Sequence, residues 1–309
     1  MERVNRTFSI ITALIAAIAI GVTCRPPLGP ISKAVLVGAL EEVPGHFANE
    51  PTARKVRVLF HKSGGAWEAY KSDCPDQDCL KQAAASFPRA VTWTVTYNGR
   101  NLGVVDAETP DAFDAYSDIG LQTIAAGARA PTVGERSSDY AGFLDQAVYR
   151  PLVTVSNPES RDPDGWTQTV VSEPVVAVLR QAFRARFPSV ENCATPEENT
   201  PRRWAYFEGD IHVGDAHASN TRWTLATLSL SDYRCDGPPD GPYVDQLFSV
   251  DPAGHVALIG DEMRYLDAGD YDGDGRSEVV VSIARYNRGG YALFFDTLGR
   301  HVTFEFSYH

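Results

Sequence analysis

The chain has 309 residues, of which 43% are hydrophobic, enough to core one large or two small domains and too many for a disordered chain. Its formal net charge of −12 argues against nucleic acid or an anionic membrane as a partner, because both select basic surface. An acidic surface suits solubility and divalent cations.

Residues 1–24, MERVNRTFSIITALIAAIAIGVTC, have the layout of an export signal. Arg3 and Arg6 form a positive start, and Phe8 to Val22 is an uncharged, mostly apolar run. That run of 15 residues falls short of the about 20 that a membrane-spanning helix requires. Cys24 resembles the acylated cysteine of a bacterial lipoprotein signal, which implies a lipid anchor there. Gly21 and Thr23 depart from that pattern, which places Leu three residues before the cysteine and a small residue directly before it. The expected location is exported: periplasmic, outer-membrane-associated or extracellular.

Residues 25–55 are proline-containing and read as an irregular tether, in which AVLVGAL (34–40) has the makings of a strand. An N-terminal β-rich part is expected over 56–187. VRVLF (56–60) and AWEAY (66–70) flank HKSGG as a hairpin. CLKQAAASF is one short helix. In TWTVTYNGRNLGVVDAE, apolar and threonine positions alternate up to Asn98-Gly99, the preferred type I′ turn pair, and a return strand follows. GLQTI (120–124) and AVYRPLVTVS (147–156) are further strands. The best helix covers 173–187, with Ser172 as its cap, Pro174 in its first turn, Val175, Val176, Leu179, Ala182 and Phe183 on one face, and Pro188 as its stop.

PSVENCATPEENTPRR (188–203) reads as a long loop or boundary. The C-terminal part, 204–309, is nearly all strand, with turns at DPAG, NRGG and TLGR. The expected fold class is mainly β, antiparallel, propeller-like or sandwich, with one or two helices. No internal repeat of fixed period is evident.

Setting Cys24 aside leaves Cys74, Cys79, Cys193 and Cys235. In an oxidising compartment an even number favours two disulfides. Cys74–Cys79 with Cys193–Cys235 is the simplest of three connectivities. A four-cysteine zinc site is the rival, and the wide spacing disfavours it.

The chemistry concentrates in DAGDYDGDGRSEVVVSI (267–283). Asp270, Asp272 and Asp274 alternate, so their side chains face one centre, and Gly275 allows the sharp turn. Arg276 offers a backbone carbonyl and Glu278 a fourth carboxylate, an all-oxygen set that matches Ca2+. Four acidic groups this close repel one another without a cation; the rival reading is a solvated acidic turn. An EF-hand needs an acid at position 12, where this chain has Val281 and continues as a strand. The stretch GDYDGDGRSEVVV instead resembles the calcium loop of FG-GAP or VCBS repeats. That resemblance implies Asp270, Asp272, Asp274 and Glu278 as ligands in a β-hairpin loop. The family usually has Asp where Glu278 stands and carries several copies; here RDPDGW (161–166) is only a degenerate echo.

No nucleophile elbow, zincin motif, P-loop or dinucleotide fingerprint is present. His212 and His217 are expected on opposite strand faces, and the other histidines (46, 61, 255, 301, 309) are isolated. CDGPPDGPYVD holds Asp236, Asp240 and Asp245 in a loop pinned by Cys235; a second cation or sugar site is the rarer reading of it. The expectation is therefore an exported calcium-binding β protein of recognition or scaffolding type at the cell envelope, similar in layout to bacterial exported proteins. Its partner would be a protein or a glycan. The alternative is an extracytoplasmic hydrolase with dispersed catalytic residues.

Overall fold

The computed structural model describes residues 34–44, 52–140, 146–239 and 241–308. The export signal, Cys24, His46, His309 and Asp240 lie outside the described residues. No described helix is long and apolar enough to cross a membrane.

The first part is a barrel. Its strands are β1 (Val35–Val43), β2 (Ala53–Ser63), β3 (Ala66–Ala69), β4 (Ala90–Tyr97), β5 (Arg100–Glu108), β6 (Leu121–Ile124) and β7 (Leu152–Val155), with helix α1 (Gln77–Ala84) after β3. The hydrogen-bonded order is β1-β7-β4-β5-β6-β2, and β2 pairs again with β1, so six strands close and β3 hangs on β2. Closure satisfies the sheet edges that an open ribbon would expose. The expected tether thus carries β1, one of the closing strands. Gly38 sits where β1 changes register, and a β-carbon there would come within 2.6 Å of the Arg57 carbonyl. The indole of Trp93 fills the space beside it and donates to buried Gln122 at 2.8 Å. Asn98 and Gly99 both take positive φ, as a type I′ turn demands.

Next come β8 (Thr167–Gln168), α2 (Glu173–Arg186), β9 (Val190–Asn192), β10 (Arg202–Trp204), β11 (Ile211–Ala218), β12 (Thr224–Leu230), β13 (Gln246–Val250) and β14 (Val256–Asp261). The order β14-β13-β12-β11-β8 makes a five-stranded antiparallel sheet. Leu179 and Phe183 of α2 pack on its Leu228 and Phe248. Ser172 occupies the cap position in extended backbone, yet its hydroxyl makes no capping bond. The expected loop 188–203 carries β9 and β10, which pair with each other, and Cys193 is bonded to Cys235. Cys74 is bonded to Cys79 across the start of α1. Two disulfides point to an oxidising compartment.

The last element is a meander of β15 (Met263–Gly269), β16 (Glu278–Arg285), β17 (Arg288–Phe295) and β18 (Arg300–Ser307). Both of its faces are covered. Val280, Leu293 and Phe304 join the barrel core, while Val279, Val281 and Phe294 meet Trp166, Leu225 and Leu247. That explains the unbroken apolar runs VVV and YALFF, since a sheet buried on both faces loses its alternation. The division expected near 188–203 does not divide the packing, because one core runs from Val37 to Phe306. The turn expected at NRGG falls instead at Tyr286 and Asn287, and both glycines lie in β17. The fold is mainly β and antiparallel, with two α-helices among the described residues.

Candidate functional site

Residues 270–277 join β15 to β16. Gly273 and Gly275 have φ of +80° and +88°, a conformation other residues rarely adopt. The acids then fold back onto the loop's own amides. Asp270 Oδ2 accepts from Gly275 N–H at 2.9 Å, Asp272 Oδ1 from Asp274 N–H at 3.0 Å, and Asp274 Oδ1 from Arg276 N–H at 3.0 Å. Glu278 Oε2 accepts from Tyr271 N–H at 2.9 Å.

One carboxylate oxygen from each of Asp270, Asp272 and Glu278 lies within 4.8 Å of the others. Asp274 and Arg276 are exposed and stand outside this trio. The Asp270 Oδ1 atom is buried without a hydrogen-bond partner. Glu278 is only 3% exposed. Its burial, then the charges of Asp272 and Asp274, push its carboxyl up to about 8.

No local pattern points to Lys62. This lysine, in the second half of β2, places its ammonium on Asp272 Oδ2, and the Asp272 side chain is 2% exposed. Burial works against that ammonium, but the hydrogen bond and charge of Asp272, with Glu278 and Asp274 behind, outweigh it and raise its pKa. A protein cation thus already neutralises part of the acidic centre.

The degenerate echo RDPDGW docks directly on this loop. Asp270 N–H donates to the Arg161 carbonyl at 2.5 Å. The Ser277 hydroxyl donates to Asp162 at 2.5 Å and its N–H to Asp164 at 3.1 Å. Beneath lies Asp267, 1% exposed, which accepts from the Thr96 hydroxyl at 2.7 Å and Gly99 N–H at 3.4 Å. Burial pushes its carboxyl up to about 6 against those bonds.

The other expected residues do not assemble. A bulge between Val213 and Ala216 pairs His212 with Ser229 and His217 with Leu225, four residues apart, so both histidines share one side of β11, contrary to the simple alternation. They remain about 14 Å apart at strand spacing. His212 is exposed; His217 stacks on Tyr265 at 3.8 Å, and burial with the Arg150 charge pushes it down to about 4. Asp236 is exposed, and Asp245 pairs with Arg264.

A second feature had no motif to announce it. A cleft of about 300 Å³ opens between the β1–β2 edge of the barrel and β16–β18. Arg57, 2% exposed, makes two bonds to Glu41 at 2.9 and 3.0 Å and a third to the Ile119 carbonyl at 2.8 Å. The Tyr291 hydroxyl donates to Glu41 at 2.8 Å, and the guanidinium lies 3.8 Å over Phe306. On the wall, Glu42 accepts from Arg136 at 2.5 Å and from Tyr149 N–H at 2.9 Å. Burial favours the neutral form of Glu42, but bonds from Tyr149, Thr52 and Arg136 outweigh it and hold its pKa low.

The cleft and the acidic loop sit at opposite ends of β16, with Glu278 in the loop and Ser282 to Ala284 lining the cleft. Five residues of strand separate Glu278 from Ile283, about 17 Å. No family model, curated protein or solved structure matches this chain.

Proposed function

We propose that this is an exported β protein whose 270–278 loop holds one structural Ca2+ and whose work is recognition at the cell envelope. The observation that carries the metal reading is the convergence of Asp270, Asp272 and Glu278 around a buried, unpartnered Asp270 oxygen. The donors are all oxygen, which selects a hard cation. Asp274 completes the set that the FG-GAP or VCBS resemblance implies, and the Arg276 carbonyl at the loop's seventh position would add a further oxygen. The ion would tie β15 to β16 and, through the Asp162–Ser277 bonds, to the 161–166 loop. Binding only the folded chain, it stabilises the fold.

Recognition is favoured over hydrolysis by where the perturbed carboxyls stand. Asp267 and Glu278 have raised pKa values but lie in or under the closed loop, whereas Glu42 in the cleft is held low. A general acid needs a raised pKa beside its substrate. Calorimetric titration of chelator-treated protein with CaCl2 tests the metal: one ion per chain is expected, and Asp270→Ala should abolish the heat. Absence of saturable binding by the wild type ends the calcium reading. Export, and a lipid at Cys24, are tested by mass measurement of the mature chain.

A further inference from the structure

We infer that the cleft between the barrel and the β16–β18 meander binds one neutral sugar ring, the terminal or exposed unit of a glycan. This deepens the recognition reading and rests on it. The charged side chains that line the cleft are Glu41, Glu42, Arg57 and the buried Asp118, and each already has a partner within the protein. Arg57 is bound to Glu41, and Glu42 to Arg136. A charged ligand would bring an unmatched charge into a partly buried site, which is costly. A neutral ligand meets no such penalty.

The remaining chemistry selects hydroxyl groups. Among the described residues, Glu41 Oε2 accepts one bond, from Arg57 Nη2, so it retains acceptor capacity. The half-buried Tyr308 hydroxyl is both donor and acceptor at the mouth. A group that both donates and accepts without carrying charge is an alcohol. Tyr140, with the parts of Phe306 and Tyr149 that Arg57 and Arg136 do not cover, supplies ring surface for the C–H groups between such hydroxyls. The volume, about 300 Å³, is at the small end of ligand sites, so it suits one ring.

The glycines of β17 shape the site. A β-carbon on Gly289 would stand 2.8 Å from both the Phe306 ring and the Tyr308 hydroxyl, and one on Gly290 2.4 Å from the Phe304 carbonyl. Glycine in a strand marks such close approach. It lets the two aromatic rings lie across β17 and form the wall.

Saturation-transfer NMR with glucose, galactose, mannose and N-acetylglucosamine, against glucuronate and glucosamine, tests this. At least one neutral sugar should bind saturably, with Kd on the order of millimolar. Tyr308→Phe, which removes only a hydroxyl, should weaken it about 3- to 10-fold with the melting temperature unchanged. Ala284→Leu, at an exposed position on the rim, should weaken it more than about 10-fold by filling the mouth. Absence of saturable neutral-sugar binding overturns the inference, as do equal binding of the charged sugars or indifference to both variants. Release of nitrophenol from the matching 4-nitrophenyl glycoside would instead overturn the recognition reading and leave the sugar class standing.

Discussion

Lys62 allows the calcium reading to be tested against its closest rival, an acidic loop neutralised by the protein itself. For a site with Kd of about 50 µM, 5 mM Ca2+ is 100-fold over Kd and stabilises the native chain by about 2.7 kcal/mol. At about 2–4 °C per kcal/mol for a domain of this size, the wild type should melt about 5–11 °C higher in 5 mM CaCl2 than in EDTA. Lys62→Met keeps all four carboxylates and removes the ammonium from Asp272. The Lys62 side chain is 22% exposed, so its loss should cost less than breaking a fully buried pair, about 2 kcal/mol in EDTA. Calcium should then restore more than it adds to the wild type, because the ion no longer competes with a lysine. Asp272→Ala should melt identically with and without calcium. Differential scanning calorimetry in both buffers reads all three. If wild type and Lys62→Met both ignore calcium, the lysine is the site's counter-ion and the metal reading fails.

Two further predictions concern stability. Asp267 is ordinary near 3.8 when unfolded and about 6 in the fold. Its carboxyl therefore stays protonated in the fold while it ionises in the unfolded chain. Stability is fully present below about pH 3.8 and falls as pH rises through 6, by about 3 kcal/mol in total. In EDTA, where Glu278 with its carboxyl at about 8 adds a decline of its own, Asp267→Asn should make the fall of the urea midpoint between pH 4 and 7.5 shallower; an unchanged pH slope would discount Asp267 as a source. The disulfides should differ in weight. Closing 42 residues, Cys193–Cys235 should stabilise by about 4 kcal/mol, and Cys74–Cys79, closing 5, by about 2. Paired serine variants in urea titrations check the order, and equal losses would contradict the loop-entropy account.

What was legible in the sequence was local. The β4–β5 hairpin turns at Asn98-Gly99 because those two residues tolerate positive φ, a local preference that the later bond from Gly99 to Asp267 only adds to. Helix α2 announces itself by Pro174, its apolar face and Pro188. Both disulfides follow the simplest pairing. The misreadings arise where tertiary packing overrides composition. AVLVGAL lies in a proline-rich stretch, yet the barrel needs it to close between β2 and β7. The 188–203 segment is polar, but the bond from Cys193 to Cys235 anchors it and its ends pair as β9 and β10. Gly289 and Gly290 look like turn residues and serve as strand residues, because rings from β18 lie across them.

The same contrast separates the two sites. The acidic loop is legible because its carboxylates lie within nine residues, and alternation alone brings them toward one point. Lys62 reaches it from 210 residues away, and no spacing rule connects the two. The cleft has no local signature at all. Arg57 meets Glu41 across 16 residues and Tyr291 meets Glu41 across 250, and each of these residues alone is unremarkable in a strand. Such a site exists only once the barrel has closed and the meander has packed on it. Its polar groups are desolvated together, so each must find its partner in the folded chain or be lost. Arg57 is therefore doubly fixed, as the partner of Glu41 and as a donor to the Ile119 carbonyl, before any ligand arrives. A floor so fixed meets a ligand with little reorganisation, and that preorganisation is where a small neutral molecule gains its affinity.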